Sequence, residues 1–166
     1  MIDEAMTIRK STERDLPEIF RIYEDARRFM RESGNPNQWK NTNPTIEMIE
    51  GDIKTGTGYV CEKDGEIAAV FYFNIEIDPT YGKINGKWSN DEPYGVIHRI
   101  ARDRNAKGAG EFCINWCFEQ CGNLRIDTHE DNAPMRRLLG RIGFEYCGII
   151  WLENGEERLA FQKTQP

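Results

Sequence analysis

A mixed α/β or α+β domain is what the sequence predicts, on three observations. Its apolar residues switch several times between a spacing of two and a spacing near 3.6, so strand segments are interleaved with helical ones. At 166 residues, with 39% apolar and 30% charged side chains, the chain can bury about 70% of its unfolded surface in one domain over residues 1–166. It is too apolar to stay disordered, and no repeat, low-complexity tract or linker divides it.

Thr7-Ile8-Arg9-Lys10 reads as a first strand. Ser11 or Thr12 supplies a capping oxygen for a long helix that places Leu16, Ile19, Phe20, Tyr23 and Ala26 on one face, and Gly34 stops it. Asn35-Pro36-Asn37-Gln38-Trp39 is a loop; a second helix follows Asn43-Pro44, from about Thr45 to Lys54, ended by Gly56 and Gly58. Tyr59–Glu62 and Ile67–Ile77, joined by Lys63-Asp64-Gly65, form the clearest hairpin. The long connection from Asp78 to Tyr94 carries Pro79, Gly82, Gly86 and Pro93, and long loops of compact domains tend to be functional. A strand at Gly95–Ala101, a turn at Lys107-Gly108-Ala109-Gly110 and a helix at Glu111–Cys121 make a strand, glycine turn, helix unit. A strand at Leu124–Thr128 and a helix from about Asn132 to Arg141, closed by Gly143, come next. Strands near Tyr146–Leu152 and Arg158–Gln162, joined by Glu153-Asn154-Gly155-Glu156, complete the order.

Asp and Glu outnumber Lys and Arg 28 to 22, a formal charge of −6, which opposes attachment to nucleic-acid backbones or anionic lipid. The longest apolar runs, such as Ile67 to Phe73, fall short of the roughly 20 residues that span a bilayer. Met1–Met6 lacks the pattern of a signal peptide, so the expectation is a cytoplasmic protein with neither a membrane nor a nucleic-acid partner. Five cysteines in a reducing compartment do not suggest a disulfide framework. Cys113, Cys117 and Cys121 recur along one helix face without a converging His or fourth Cys and read as small core-facing side chains, so no metal site is expected.

Gly108-Ala109-Gly110 suits an anion, because small residues let backbone N–H groups approach closely and the helix N-terminus adds partial positive charge. Neither a Walker-type Gly-Lys-Ser/Thr ending nor a dinucleotide G-x-G-x-x-G opening is present. The order of elements resembles the GNAT-type N-acetyltransferase superfamily over nearly the whole chain. Asn105-Ala106-Lys107-Gly108-Ala109-Gly110 is similar to that family's Gln/Arg-x-x-Gly-x-Gly/Ala phosphate turn, and Asn132 to Gly143-Phe144 to its later Asn-helix-Gly-Phe segment. The resemblance implies a GNAT-like, mostly antiparallel sheet of six to seven strands flanked by about four helices, with the strands at 95–101 and 124–128 splayed to admit acetyl-CoA. It implies the pyrophosphate on backbone N–H groups from about Ala106 to Glu111, the pantetheine arm along Ile100, Ala101 and Arg102, and a side-chain contact from Asn132, which suits a helix cap equally well. The turn departs from the family at Asn105, beside which Arg104 offers a phosphate contact. Where many members carry a Tyr acid, seven residues beyond the matched Asn, this chain has Leu139.

Transfer to an amine needs somewhere for the amine's proton to go. His98, on the face shared with Tyr94 and Val96, and His129, at the end of the strand 124–128 with Asp127 near it, are the candidates, with Tyr146 as a further proton donor. Phe29, Trp39, Tyr72, Tyr81 and Trp88 are candidate walls for an acceptor, and Glu76, Asp78, Asp91 and Glu92 would attract a cation. The expected activity is direct movement of the acetyl group of acetyl-CoA to a primary amine of a small molecule, peptide or protein. The second reading is a non-catalytic acyl-CoA-binding sensor or interaction module, made plausible by Leu139. The exposed edge of the last strands offers a route to a homodimer.

Overall fold

The computed structural model describes residues 5–40 and 42–166; the N-terminal residues read above for a signal peptide lie outside these at positions 1–4. Strand β1 (Met6–Lys10) leads through a turn in which the Thr12 N–H donates to Asp15 Oδ2 at 2.8 Å. Helix α1 (Leu16–Glu32) follows and buries Ile19, Ile22 and Tyr23. Gly34 ends it at φ +87°, and the Asn35 N–H then reaches back to the Met30 carbonyl at 2.8 Å, satisfying a carbonyl that the last helical turn leaves open. Helix α2 (Ile46–Thr55) is capped by Thr45, whose hydroxyl accepts from the Met48 N–H at 3.2 Å. β2 (Gly58–Lys63) and β3 (Glu66–Ile75) form the hairpin, with both Asp64 and Gly65 at positive φ, as a two-residue turn requires. β3 stops two residues short of the expected Ile77, because the Glu76 carboxylate turns back to the Tyr72 hydroxyl and Asn74 Nδ2.

The long connection holds a strand that alternation could not reveal. Asp78 caps a one-turn 3-10 helix at Pro79–Tyr81, and β4 (Asn85–Gly86) has only two residues. Then come β5 (Gly95–Arg102), α3 (Ala109–Cys121), β6 (Asn123–Thr128), α4 (Ala133–Arg141), β7 (Glu145–Trp151) and β8 (Glu157–Thr164). They make one eight-stranded sheet in the order β1-β2-β3-β5-β6-β8-β7-β4, one strand more than the six to seven expected, with β5–β6 its parallel pair. α3 and α4 cover one face over Phe71, Phe73, Ile97, Leu124 and Phe161, with Cys113 and Cys117 in that core. On the other face α1 and α2 cover Val60, Val70 and Ala101, while the 78–94 connection covers Val96, Ile150 and Ala160. Among the described residues no helix is long and apolar enough to cross a membrane.

β4 meets β7 where two glycines face each other. A Cβ on Gly86 would stand 2.1 Å from the Cys147 carbonyl oxygen, and one on Gly148 would stand 2.2 Å from the Asn85 oxygen. Gly148→Ala is therefore expected to lower the unfolding free energy by about 2–3 kcal/mol. Urea denaturation checks this, and an unchanged midpoint would show that β4 moves away without loss.

Candidate active site

β5 and β6 pair only at Gly95/Leu124 and Val96/Arg125 and then part, opening a cleft in the middle of the sheet. On its other edge β5 carries an extra residue against β3. Val70 faces Ala101 and Tyr72 faces His98, so Arg99 and Ile100 together oppose Phe71. Arg99 adopts φ +54°, and this bulge suspends the usual alternation of side chains. Ile97 and Ile100 pack toward α3, while His98 and the adjacent Arg99 both sit on the α1/α2 face. Arg99 is held there by a two-point bond to Asp52, at 3.0 and 2.7 Å, and lies over the Tyr72 ring at 4.8 Å.

His98 lies between two carboxylates. Its Nε2–H donates to Asp78 Oδ2 at 2.6 Å, and its Nδ1 is 4.0 Å from Asp127 Oδ1. Asp78 Oδ1 accepts from the Thr80 N–H and hydroxyl at 2.9 and 2.7 Å, and the Asp78 N–H donates to the Tyr94 hydroxyl. Asp127 is fixed by the buried Tyr81, whose hydroxyl donates to Oδ1 at 2.6 Å. Burial works against charge on His98, but the Asp78 bond and the charges of Asp127 and Asp78 outweigh it and raise the imidazole above its ordinary value. Burial also opposes ionisation of Asp78, yet His98 and Thr80 hold its carboxyl down at about 2. Burial, then the Asp127 charge, pushes the Tyr81 hydroxyl far above its ordinary range, so it stays a donor. The ionised Asp78 thus selects Nε2 as the permanent donor and leaves Nδ1 as the atom that gains and loses a proton.

A cavity of about 600 Å³ opens in front of this group, walled by His98, Arg99, Asp127, Trp39, Glu153 and Arg158 among others. A second, of about 360 Å³, runs along β5 to the start of α3, and Met30, Ile100, Asn132 and Met135 line both. At the far end of the second cavity Gly108 takes φ +84°, and a Cβ there would meet nothing within 4 Å; one on Gly110 would meet only Leu138, at 3.9 Å. That open space lies against the first turn of α3, where the Ala109 N–H is taken by the Ala106 carbonyl at 3.1 Å and those of Gly110 and Glu111 have no partner within the helix. Arg102, Arg104 and Arg141 line the same cavity, Arg104 paired with Asp25 at 3.0 Å and Arg141 with Glu111, so its shape and modest positive balance suit an extended ligand ending in phosphate.

Gln38 joins the two cavities. Its side-chain oxygen accepts from Asn35 Nδ2 at 3.1 Å, the Thr128 hydroxyl at 3.3 Å, the His129 N–H at 3.3 Å and Asn132 Nδ2 at 3.1 Å. Arg158 donates to its carbonyl at 2.9 Å, and Lys40 pairs with Glu156 at 2.6 Å, which ties this loop to the β7–β8 hairpin.

Of the candidate cofactor residues, Ile100, Ala101, Arg102, Gly108, Gly110 and Asn132 line the smaller cavity. Ala106 and Ala109 are buried beneath the turn, and Asn105 and Lys107 are exposed on it. The Asn132 side chain is engaged at both ends, capping α4 through the Met135 N–H at 3.2 Å and donating to Gln38. Trp39 lines the larger cavity and Phe29 the smaller, where Arg104 lies over its ring; Tyr72 stands behind Arg99. Trp88 lies in the core, donating to the Tyr81 carbonyl at 3.0 Å and stacked on Arg125. His129 Nδ1 accepts from the Asp131 N–H at 3.0 Å, and Asp127, the residue offered as its orienter, is bonded to Tyr81 beside His98 instead. Tyr146 is exposed against Phe161, beside a separate cavity with Arg136 and Arg137. Leu139 is fully buried in the core, and α4 presents Met135 to the cleft. Sequence reasoning passed over Asn35, Gln38, Arg99 and Arg158; the density of amide side chains just after Gly34 was the one signal for the first two.

Residues 5–145 match the family model described as acetyltransferase (GNAT) domain. A protein of Bacillus subtilis (strain 168), described as uncharacterized N-acetyltransferase YesJ, is 28% identical, with 76% of this chain and 80% of that one covered. The structure of a GNAT-family acetyltransferase from Streptococcus agalactiae 2603 superposes with a TM-score of 0.87 at 30% identity, over 97% of this chain and 96% of that one. Another, from Listeria monocytogenes 4b F2365, shares the fold at a TM-score of 0.72 and 21% identity over 99% of each chain.

The carboxylate–imidazole group makes stability depend on pH in two windows. His98 is raised on folding, so its contribution is complete below the unfolded value of about 6.5 and is lost as pH rises through the folded value. Asp78 is depressed on folding, so its contribution is present above the unfolded value of about 3.9 and is lost as pH falls toward about 2. In Asp78→Asn the His98 midpoint, followed by NMR, is expected to fall below that of the wild type; an unmoved midpoint would deny the bond its role.

Proposed function

Because the chain belongs to the GNAT acetyltransferase family, we propose that it moves the acetyl group of acetyl-CoA directly to the primary amine of a cationic acceptor held beside His98 and Asp127. The observation that carries this reading is His98, set by Asp78 and facing a cavity that joins the phosphate-suited one at Met30, Ile100, Asn132 and Met135. Acetyl-CoA brings an acetyl group already activated as a thioester. The N–H groups of Gly110 and Glu111 in the first turn of α3 would hold its pyrophosphate, with Gly108 and Gly110 leaving the room, Arg102 adding charge, Arg104 and Arg141 able to exchange Asp25 and Glu111 for phosphate, and the edge of β5 at Ile100–Arg102 flanking its arm.

An acceptor amine reaches the larger cavity as an ammonium and must lose a proton before its lone pair can react. Asp127 keeps Oδ1 on Tyr81, which leaves the rest of its carboxylate to attract that ammonium. His98 Nδ1 takes the proton, and Asp78 stabilises the resulting imidazolium through Nε2–H without itself becoming protonated; as the amine nitrogen bonds the acetyl carbon the C–S bond would break, the departing thiolate taking up the second proton that the nitrogen sheds. A base raised above its ordinary value is better matched to an amine than an unperturbed imidazole. Arg99, neutralised by Asp52, shapes the wall and leaves the cluster's negative charge intact. No cysteine is needed as an acyl carrier: Cys147 is buried near Ser89, in the core beneath the 78–94 connection.

Thiol release from acetyl-CoA, measured across polyamines, amino acids, aminoglycosides and peptides against an amine-free blank, tests the reading. His98→Gln is expected to lower kcat/KM about 10²-fold and to abolish its rise with pH above about 6.5, while acetyl-CoA affinity holds. Gly110→Leu is expected to weaken acetyl-CoA binding at least about tenfold by calorimetry with little change in Tm, since the added side chain enters open space. Tight acetyl-CoA binding with no amine-dependent release would favour the non-catalytic acyl-CoA-binding module.

A further inference from the structure

Asn35 is 2% exposed, yet its side-chain oxygen has no hydrogen-bond partner among the described residues. A buried acceptor left open this way carries a desolvation penalty of about 1–3 kcal/mol. The orientation of the amide is not free. The His129 N–H is a backbone donor with no alternative identity, so the atom of Gln38 that faces it is the oxygen, and the atom of Asn35 that faces that oxygen is Nδ2. Flipping Asn35 would set two carbonyl oxygens against each other. Its position is fixed as well, because the turn at Gly34 holds the Asn35 N–H on the Met30 carbonyl at 2.8 Å.

Asn35 lines the smaller cavity, on the wall built by Phe29, Met30 and Ser33, and Ile100–Arg102 lie in the same lining. Asn35 thus stands at the wall of this cavity with an acceptor unmet; Oδ1 is itself closed to solvent in the free protein, so a donor held in the cavity reaches it as the wall gives slightly. Resting on the reading of this cavity as the acetyl-CoA site, we propose that Asn35 Oδ1 accepts a hydrogen bond from an amide N–H of the pantetheine arm and so couples that arm to the acceptor cavity through Gln38. The arm carries two secondary amides, and the edge of a strand can take up their carbonyls while Asn35 takes an N–H. Because the cost of burying Oδ1 is already met in the free protein, the new bond adds its full strength to binding. Gln38 lines the acceptor cavity beside Trp39, so the filled arm site steadies the wall that the amine next meets.

The probes are acetyl-CoA, adenosine 3′,5′-bisphosphate, which lacks the arm, and two acetyl-CoA analogues in which one or the other amide N–H is replaced by an ester oxygen. By calorimetry Asn35→Leu, close in shape to Asn, is expected to bind acetyl-CoA about tenfold more weakly and the bisphosphate within about twofold of wild type. The apo Tm is expected to hold or rise, since the orphaned acceptor is gone. Unchanged acetyl-CoA affinity, or a fallen apo Tm with both ligands weakened alike, would overturn the assignment and make Asn35 a structural residue. Wild-type protein tests it without any variant: one ester analogue should bind about tenfold more weakly than acetyl-CoA, and equal affinity for both analogues and acetyl-CoA would overturn it. Failure of wild type to bind acetyl-CoA or the bisphosphate would overturn the reading of the cavity itself, which is a different result from loss of the Asn35 contact alone.

Discussion

The parting of β5 from β6 after Val96/Arg125 is the constraint on which the rest of the structure depends. Two strands that separate inside a sheet leave backbone donors and acceptors without their ladder partners, and such groups are costly unless something else takes them up. The base of the split is therefore clamped. Asn123 donates to the Asn90 side chain and to the Glu92 and Pro93 carbonyls, Gln162 donates to Asn90 and Asn123, and Arg125, between the Trp88 and Tyr94 rings, donates to the Asn90 carbonyl. This polar plug joins the end of the 78–94 connection to β6 and β8. Higher up, the Tyr23 hydroxyl donates to the Arg99 carbonyl at 2.6 Å, and Gln38 ties the α1–α2 loop to the end of β6 and the start of α4. The cleft is thus pinned below and bridged above, and the two cavities occupy what remains.

The bulge at Arg99 turns that opening into a chemical site. A regular β5 would place consecutive side chains on opposite faces; the extra residue puts His98 and Arg99 together on the face covered by α1, α2 and the long connection. A buried carboxylate and a half-buried one beside one imidazole are expensive unless bonded. Here Asp78 has its Thr80 and His98 bonds and Asp127 has Tyr81. The aromatic residues of the connection mostly serve this purpose: Tyr81 and Tyr94 hold the acids, and Trp88 packs beneath Tyr81, their ring centroids 5.1 Å apart. They are supports for the polar group more than surfaces for an acceptor.

Much of the fold was legible because its elements announce themselves locally. Thr45 before α2, Asp64-Gly65 between β2 and β3, Gly34 after α1 and the glycines before α3 each have a physical reason to stand where they do. β4 was not legible, since two residues cannot display alternation and its pairing depends on Gly86 and Gly148 meeting from distant parts of the chain. Nor was the bulge, because Arg99 has no intrinsic preference for positive φ and is held there by Asp52, 47 residues away. The candidate site divided in the same way: the glycine turn and His98 stand out as residue types in context, whereas the Tyr81 bond that holds Asp127 beside His98 and the bonds from Thr128, His129 and Asn132 that gather at Gln38 join residues far apart in the chain.

What the sequence determined by itself is the order and kind of the elements, and with it the resemblance that the family model bears out, because periodicity, caps and turns are properties of neighbours along the chain. What only the tertiary structure decided is which side chains share a compartment. His98 meets Asp78 across 20 positions, Tyr81 meets Asp127 across 46 and Gln38 meets Asn132 across 94. Such encounters follow from how the strands are ordered and where two of them separate, and that is set by the packing of the whole sheet against its helices, which no local segment encodes.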